Sequence, residues 1–147
     1  MRTEHVEQIE HDSMLLAVIV RNEYRKRGIT FFTSNDLSQQ LAYMRHPAGK
    51  VIDPHVHNSV RRTVSYTQET LFIKHGVLRV DFYDAQQHYL ESRELRAGDV
   101  ILLIAGGHGF EVLQEIEMIE VKQGPYAGDS DKTRFAARVP SLVSAKH

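Results

Sequence analysis

Seven consecutive apolar residues, Met14-Leu-Leu-Ala-Val-Ile-Val20, make a β-branched run of the length expected for a buried strand. A second strand is expected over Gly28-Ile-Thr-Phe-Phe-Thr33, closed by the turn formers Ser34-Asn-Asp36. Gln40 to Met44 and Val51 to His57 are also strand-like, with Pro47, Gly49 and Pro54 arguing against a long helix. Leu71-Phe-Ile73 and Val77 to Tyr83 flank Lys74-His75-Gly76, which predicts a tight hairpin with Gly76 supplying a positive φ and His75 exposed in the turn. Leu95-Arg-Ala-Gly-Asp99 reads as a turn into the strand Val100 to Ile104. The run Gly106-Gly107-His108-Gly109 predicts an irregular bend, with strand resuming at Phe110 to Leu113 and again at Met118 to Lys122. Residues 129–147 have weak periodicity and fit a terminal strand, a short helix or a tail.

Short strands at close spacing, with no long amphipathic helix, predict an all-β sandwich or barrel of jelly-roll type with little helix. At 147 residues, 41% hydrophobic and 25% charged, the chain has the size and balance of one soluble domain covering residues 1–147. Lys and Arg number 18 against 19 Asp and Glu, so the cationic excess that drives nucleic-acid binding is missing. The apolar run from Met14 to Val20 is too short to span a membrane and is flanked wrongly for a signal peptide, so a cytoplasmic location and no membrane partner are expected. There is no cysteine, which excludes disulfides, thiolate metal sites and cysteine nucleophiles and leaves nitrogen and oxygen for any site. Of nine histidines, His55, His57, His75 and His108 lie where strand and turn signals are strongest.

On a strand, His55 and His57 point to one face and can grip one ion; the alternative is a hydrogen-bonded surface pair. Gly49, five residues, His55-Val-His57, then Glu69, six residues and Gly76 follow one pattern; Gly98, five residues, Ile104-Ala-Gly106, one residue and His108 follow a second, looser one. In these two motifs, spanning Gly49 to Val112, the chain resembles the cupin family. Three departures stand out. Eleven residues, Asn58 to Gln68, lie in what is a short gap in the family; Ile104 and Val112 replace a usual Pro and Asn; and Gly106 is one residue closer to His108. The resemblance implies a jelly-roll barrel in which His55, His57, Glu69 and His108 hold one divalent metal, Fe, Mn, Ni, Zn or Co, with coordination positions left open. Nitrogen and oxygen donors suit that group without discriminating within it. Other readings are a solvated strand-edge carboxylate for Glu69 and a backbone-capping turn residue for His108; the glycines around His108 favour close approach to an ion.

Arg61, Arg62 and Tyr66 lie between the ligand positions, where an Arg can hold a carboxylate or phosphate in two parallel hydrogen bonds or simply be solvated. Tyr43 is placed to line the barrel mouth, Phe110 to pack the core, and Lys122 to be a solvated strand residue. The expected function is a metal-dependent enzyme of isomerase, lyase, hydrolase or dioxygenase type acting on a small polar molecule such as a sugar derivative. The alternatives are a non-catalytic binding or sensing protein and a metal-free epimerase of nucleotide-sugar type. The resemblance also implies a homodimer.

Overall fold

The structure, a computed structural model, describes residues 3–140. Its strands are β1 (Val6–His11), β2 (Met14–Val20), β3 (Gly28–Phe31), β4 (Ala42–Arg45), β5 (Glu69–Tyr83), β6 (Tyr89–Arg96), β7 (Val100–Leu103) and β8 (Gly107–Lys122), followed by one turn of 3-10 helix, Gly128–Asp131. The chain divides into two compact units, Met1–Tyr24 with Thr67–His147, and Arg25–Tyr66. No helix among the described residues is long and apolar enough to cross a membrane. The all-β expectation with little helix is met, and the sheet curls strongly into a half-barrel.

In the first unit the sheet order is β1-β2-β7-β5-β6, with β8 on the other side of β5. β1 and β2 meet in a two-residue turn at Asp12 and Ser13, whose φ of 49° and 64° give the left-handed pair that matches strand twist. β2 is buried from Leu16 to Val20 because β1 and β7 flank it and the core covers it. The turn after β6 forms as expected: Gly98 has φ 90°, and the Asp99 carboxylate accepts from the backbone N–H of Arg96 at 2.8 Å and of Asn22 at 2.9 Å. The core joins Ile9, Leu16, Ala17, Ile19, Leu71, Ile73, Leu78, Val80, Phe82, Leu95, Ile101 and Leu103.

Two expectations are corrected here. There is no hairpin at Lys74-His75-Gly76: β5 runs through from Glu69 to Tyr83 against β8, and the register slips between Ile73 and Leu78. Gly76, at φ 93°, supplies a bulge, and a Cβ there would stand 2.0 Å from the carbonyl oxygen of Glu115. The second correction concerns β8, which is one strand from Gly107 to Lys122 instead of a bend and two pieces. The reversal happens earlier, at Gly106 with φ 73°.

The unit 25–66 holds the ladder β3–β4, with Gly28 opposite Arg45 and Phe31 opposite Ala42. Gln40 ties the connecting loop, its amide donating to the carbonyls of Ser34 and Leu37, both at 2.8 Å. None of its residues is buried. A two-stranded ladder without buried side chains is marginal by its own contacts. The strand expected over Val51 to His57 does not form; residues 50–65 are irregular and exposed. β-branched residues alone make no strand without a neighbouring ladder, and Pro54 has no N–H to offer one.

Candidate functional site

Glu69 opens β5, between Leu103 of β7 and Lys122 of β8. His108 is the second residue of β8, beside Phe82 near the far end of β5. Along a straight strand, Glu69 and Phe82 would lie about 43 Å apart. Yet His108 Nε2 is 4.0 Å from Glu69 Oε1. The sheet therefore folds over between the two ends of β5, with the Gly76 bulge midway. On the β8 face shared with the core, His108, Phe110, Val112, Met118, Glu120 and Lys122 follow in register opposite Phe82, Val80, Leu78, Ile73, Leu71 and Glu69.

The contact between Glu69 and His108 is not an ion pair. Burial above all, helped by Lys132 and Lys122, holds the imidazole below its ordinary pKa, against the opposing pull of Glu120. His108 is therefore neutral at neutral pH and free to offer a nitrogen lone pair. Burial also pushes the Glu69 carboxyl up to about 7, reinforced by a hydrogen bond with Glu120 and its charge, while Lys122 and Lys132 pull the other way. The Glu69 carboxyl, held toward its protonated form, thus stands beside a neutral imidazole.

The glycines around His108 serve packing. A Cβ on Gly106 would sit 2.6 Å from the Tyr83 carbonyl oxygen, and one on Gly107 would sit 3.2 Å from both Tyr83 Cβ and Phe135 Cζ. Phe110 is 40% exposed with its ring 5.4 Å from that of His108, so it lines the site instead of packing the core.

His55 and His57 belong to the other unit, on irregular exposed chain. Their rings meet edge-on at 5.2 Å, and His55 Nδ1 lies 2.9 Å from the Asp53 carbonyl oxygen. Their pairing therefore comes from this local turn and not from the i, i+2 geometry of a strand. Among the described residues no three His, Cys, Asp or Glu side chains group around one point. Arg61, Arg62 and Tyr66 are exposed in the same segment, and Tyr43 is half-buried on β4. Of the residues singled out from sequence, the structure brings Glu69 and His108 together. Glu120 and Lys132 were missed; Lys122, read as a solvated strand residue, is exposed. The alternation Glu120-x-Lys122 put both on one face of a strand, but only the β5–β8 register sets that face opposite Glu69. Comparison with known protein families, curated proteins and solved structures finds no match.

Proposed function

We propose that this chain is a small cupin-type enzyme that binds one divalent transition metal and converts a small polar molecule such as a sugar derivative. The observation that carries the reading is the convergence of Glu69 and His108, each from a different motif, at 4.0 Å. The pair fits an ion of the Fe, Mn, Ni, Zn or Co group: the imidazole is neutral, and the raised Glu69 carboxyl is short of the cation that would favour its ionised form. Glu69 and His108 would hold the ion. A bound ion supplies Lewis-acid polarisation of a carbonyl or hydroxyl oxygen. Glu120 lies outside both motifs, hydrogen-bonded to Glu69, and is available to give or take a substrate proton. That extra acid–base group favours an enzyme over a passive binding protein.

Elemental analysis of natively purified protein tests this. About one metal ion per chain is expected, lost in Glu69→Ala and in His108→Ala, since removing either ligand abolishes tight binding. Wild type that carries no metal and cannot be loaded sinks the reading. One observation favours a metal-free alternative: the hydrogen-bonded carboxyls of Glu69 and Glu120 stand beside the His108 imidazole, a donor and an acceptor for proton transfer. That reading takes over if no metal binds.

A further inference from the structure

We propose that the unit 25–66 of one copy of this chain docks on the outward face of β8 of a second copy, apolar patch to apolar patch and basic flank to acidic flank. The inference is independent of any metal at Glu69 and His108.

Alternation along β3 and β4, combined with their register, sorts the ladder into two faces. Ile29 pairs with Met44 and Phe31 with Ala42 on one face, and Gly28 with Arg45 and Thr30 with Tyr43 on the other. Ile29, Phe31 and Met44 are each more than half exposed. A ladder with an open apolar face lacks the burial that stabilises strands, and a partner surface supplies it. Cations gather at one end: Arg25-Lys-Arg27 runs directly into Gly28, and Arg45 is the cross-strand partner of Gly28. Over the whole unit seven Lys and Arg stand against two Asp and Glu, a net charge of +5, while the rest of the chain carries 11 against 17, or −6. The near-neutral total hides this separation.

β8 offers the complement. Glu117, Ile119 and Val121 alternate onto one face. Ile119 stands opposite Phe72, which is exposed while its neighbours Leu71 and Ile73 join the core. Phe72, Ile119 and Val121 thus form an outward apolar patch with Glu117 at its border. β8 as a whole holds Glu111, Glu115, Glu117 and Glu120 against Lys122 alone. Glu111 is engaged by Arg79 at 2.7 Å, so Glu115 and Glu117 are the carboxylates offered to a partner. Both patches are exposed in the single chain, and each is bordered by charge of the opposite sign, the arrangement that fixes partner and register. Each copy carries both surfaces, so two reciprocal contacts close a two-fold dimer. The contact uses the side chains of β8 and leaves its backbone edge free.

Sedimentation velocity on the full chain tests this with two charge-exchanged variants, Lys26→Glu with Arg27→Glu and, in a second protein, Glu115→Lys with Glu117→Lys. All four residues are exposed, and circular dichroism verifies that the fold is kept. Wild type is expected to dimerise, with each variant alone about tenfold weaker or more, because both reciprocal contacts then oppose like charges. An equimolar mixture of the two variants is expected to recover dimers, since every contact in the mixed pair again joins opposite charges. Phe31→Ser, which removes apolar surface without changing charge, should weaken association by a similar factor. Wild type that stays monomeric, a Lys26→Glu, Arg27→Glu variant or a Phe31→Ser variant that associates as wild type does, or a mixture no tighter than its components overturns the proposal.

Discussion

Glu7 lies within a strand and is 5% exposed, a position where a carboxylate survives only if paired. Arg21 donates to it from Nε at 2.6 Å and Nη2 at 3.2 Å, and Arg93 from Nε at 3.0 Å. Arg21 also reaches Asp99 at 3.1 Å and the Glu94 carbonyl at 2.6 Å, so one guanidinium joins β1, β2, β6 and the turn before β7. Burial raises the Glu7 pKa, but the hydrogen bonds and charges of Arg21 and Arg93 outweigh it and the net shift is downward. A carboxyl with a depressed folded pKa contributes stability that is fully present above its unfolded value and is lost as pH falls through the folded one. Urea unfolding should therefore show stability dropping below about pH 4.5, with Glu7→Gln less stable at pH 7 by about 3 kcal/mol and less steeply acid-sensitive. An unchanged acid slope in the variant would remove Glu7 as its source. No spacing rule reveals this residue: in sequence, Val6-Glu-Gln-Ile-Glu-His11 lacks alternation because a charged side chain occupies a buried place and the register shifts at Ile9.

At the scale of elements, glycine marks where the sheet bends, and sequence cannot tell a bend between two strands from a bulge within one. Gly76 and Gly49 both have φ near 90°, yet a Cβ meets the Glu115 carbonyl in the first case and nothing within 4 Å in the second. Gly49→Ala should cost about 1 kcal/mol, the expense of a left-handed backbone alone. Gly76→Ala should cost more than about 2 kcal/mol, since either β5 or β8 must also move. Denaturant midpoints of the two variants decide this, and equal losses would mean that the bulge is not under steric constraint. β6 is legible only in part: its outward residues are charged, with Ser92 and Leu95 buried, so the apolar pattern of a strand is thin until β5 is seen to lie beside it.

At the scale of the whole chain, the open edge of β8 stands out. Among the described residues β8 pairs with β5 alone, and Val112, Leu113, Ile119 and Val121 are 43% to 53% exposed along it. Sixteen residues of unpaired edge with apolar side chains form a template for another strand, and a second copy of this chain supplies one of matching length. Sedimentation velocity should show concentration-dependent dimerisation, weakened about tenfold or more by Ile119→Lys or Val121→Lys, because a lysine on an edge opposes strand addition. A wild-type monomer at every concentration, or dimers indifferent to both substitutions, would exclude β8 as the interface.

Sequence by itself determined the β class, the strands at Met14, Gly28, Ala42 and Val100, the turn at Gly98, and Glu69 and His108 as residues of chemical interest. Those are local properties: two-residue periodicity, turn chemistry, and donor types at fixed spacing. Tertiary structure alone decided that β5 and β8 are long and continuous, that 51–57 is not a strand, and that Glu69 and His108 come together. Each of these depends on which strand lies beside which and on how far the sheet curls. Backbone pairing and burial between positions distant in the chain set both, and no window along the sequence contains them.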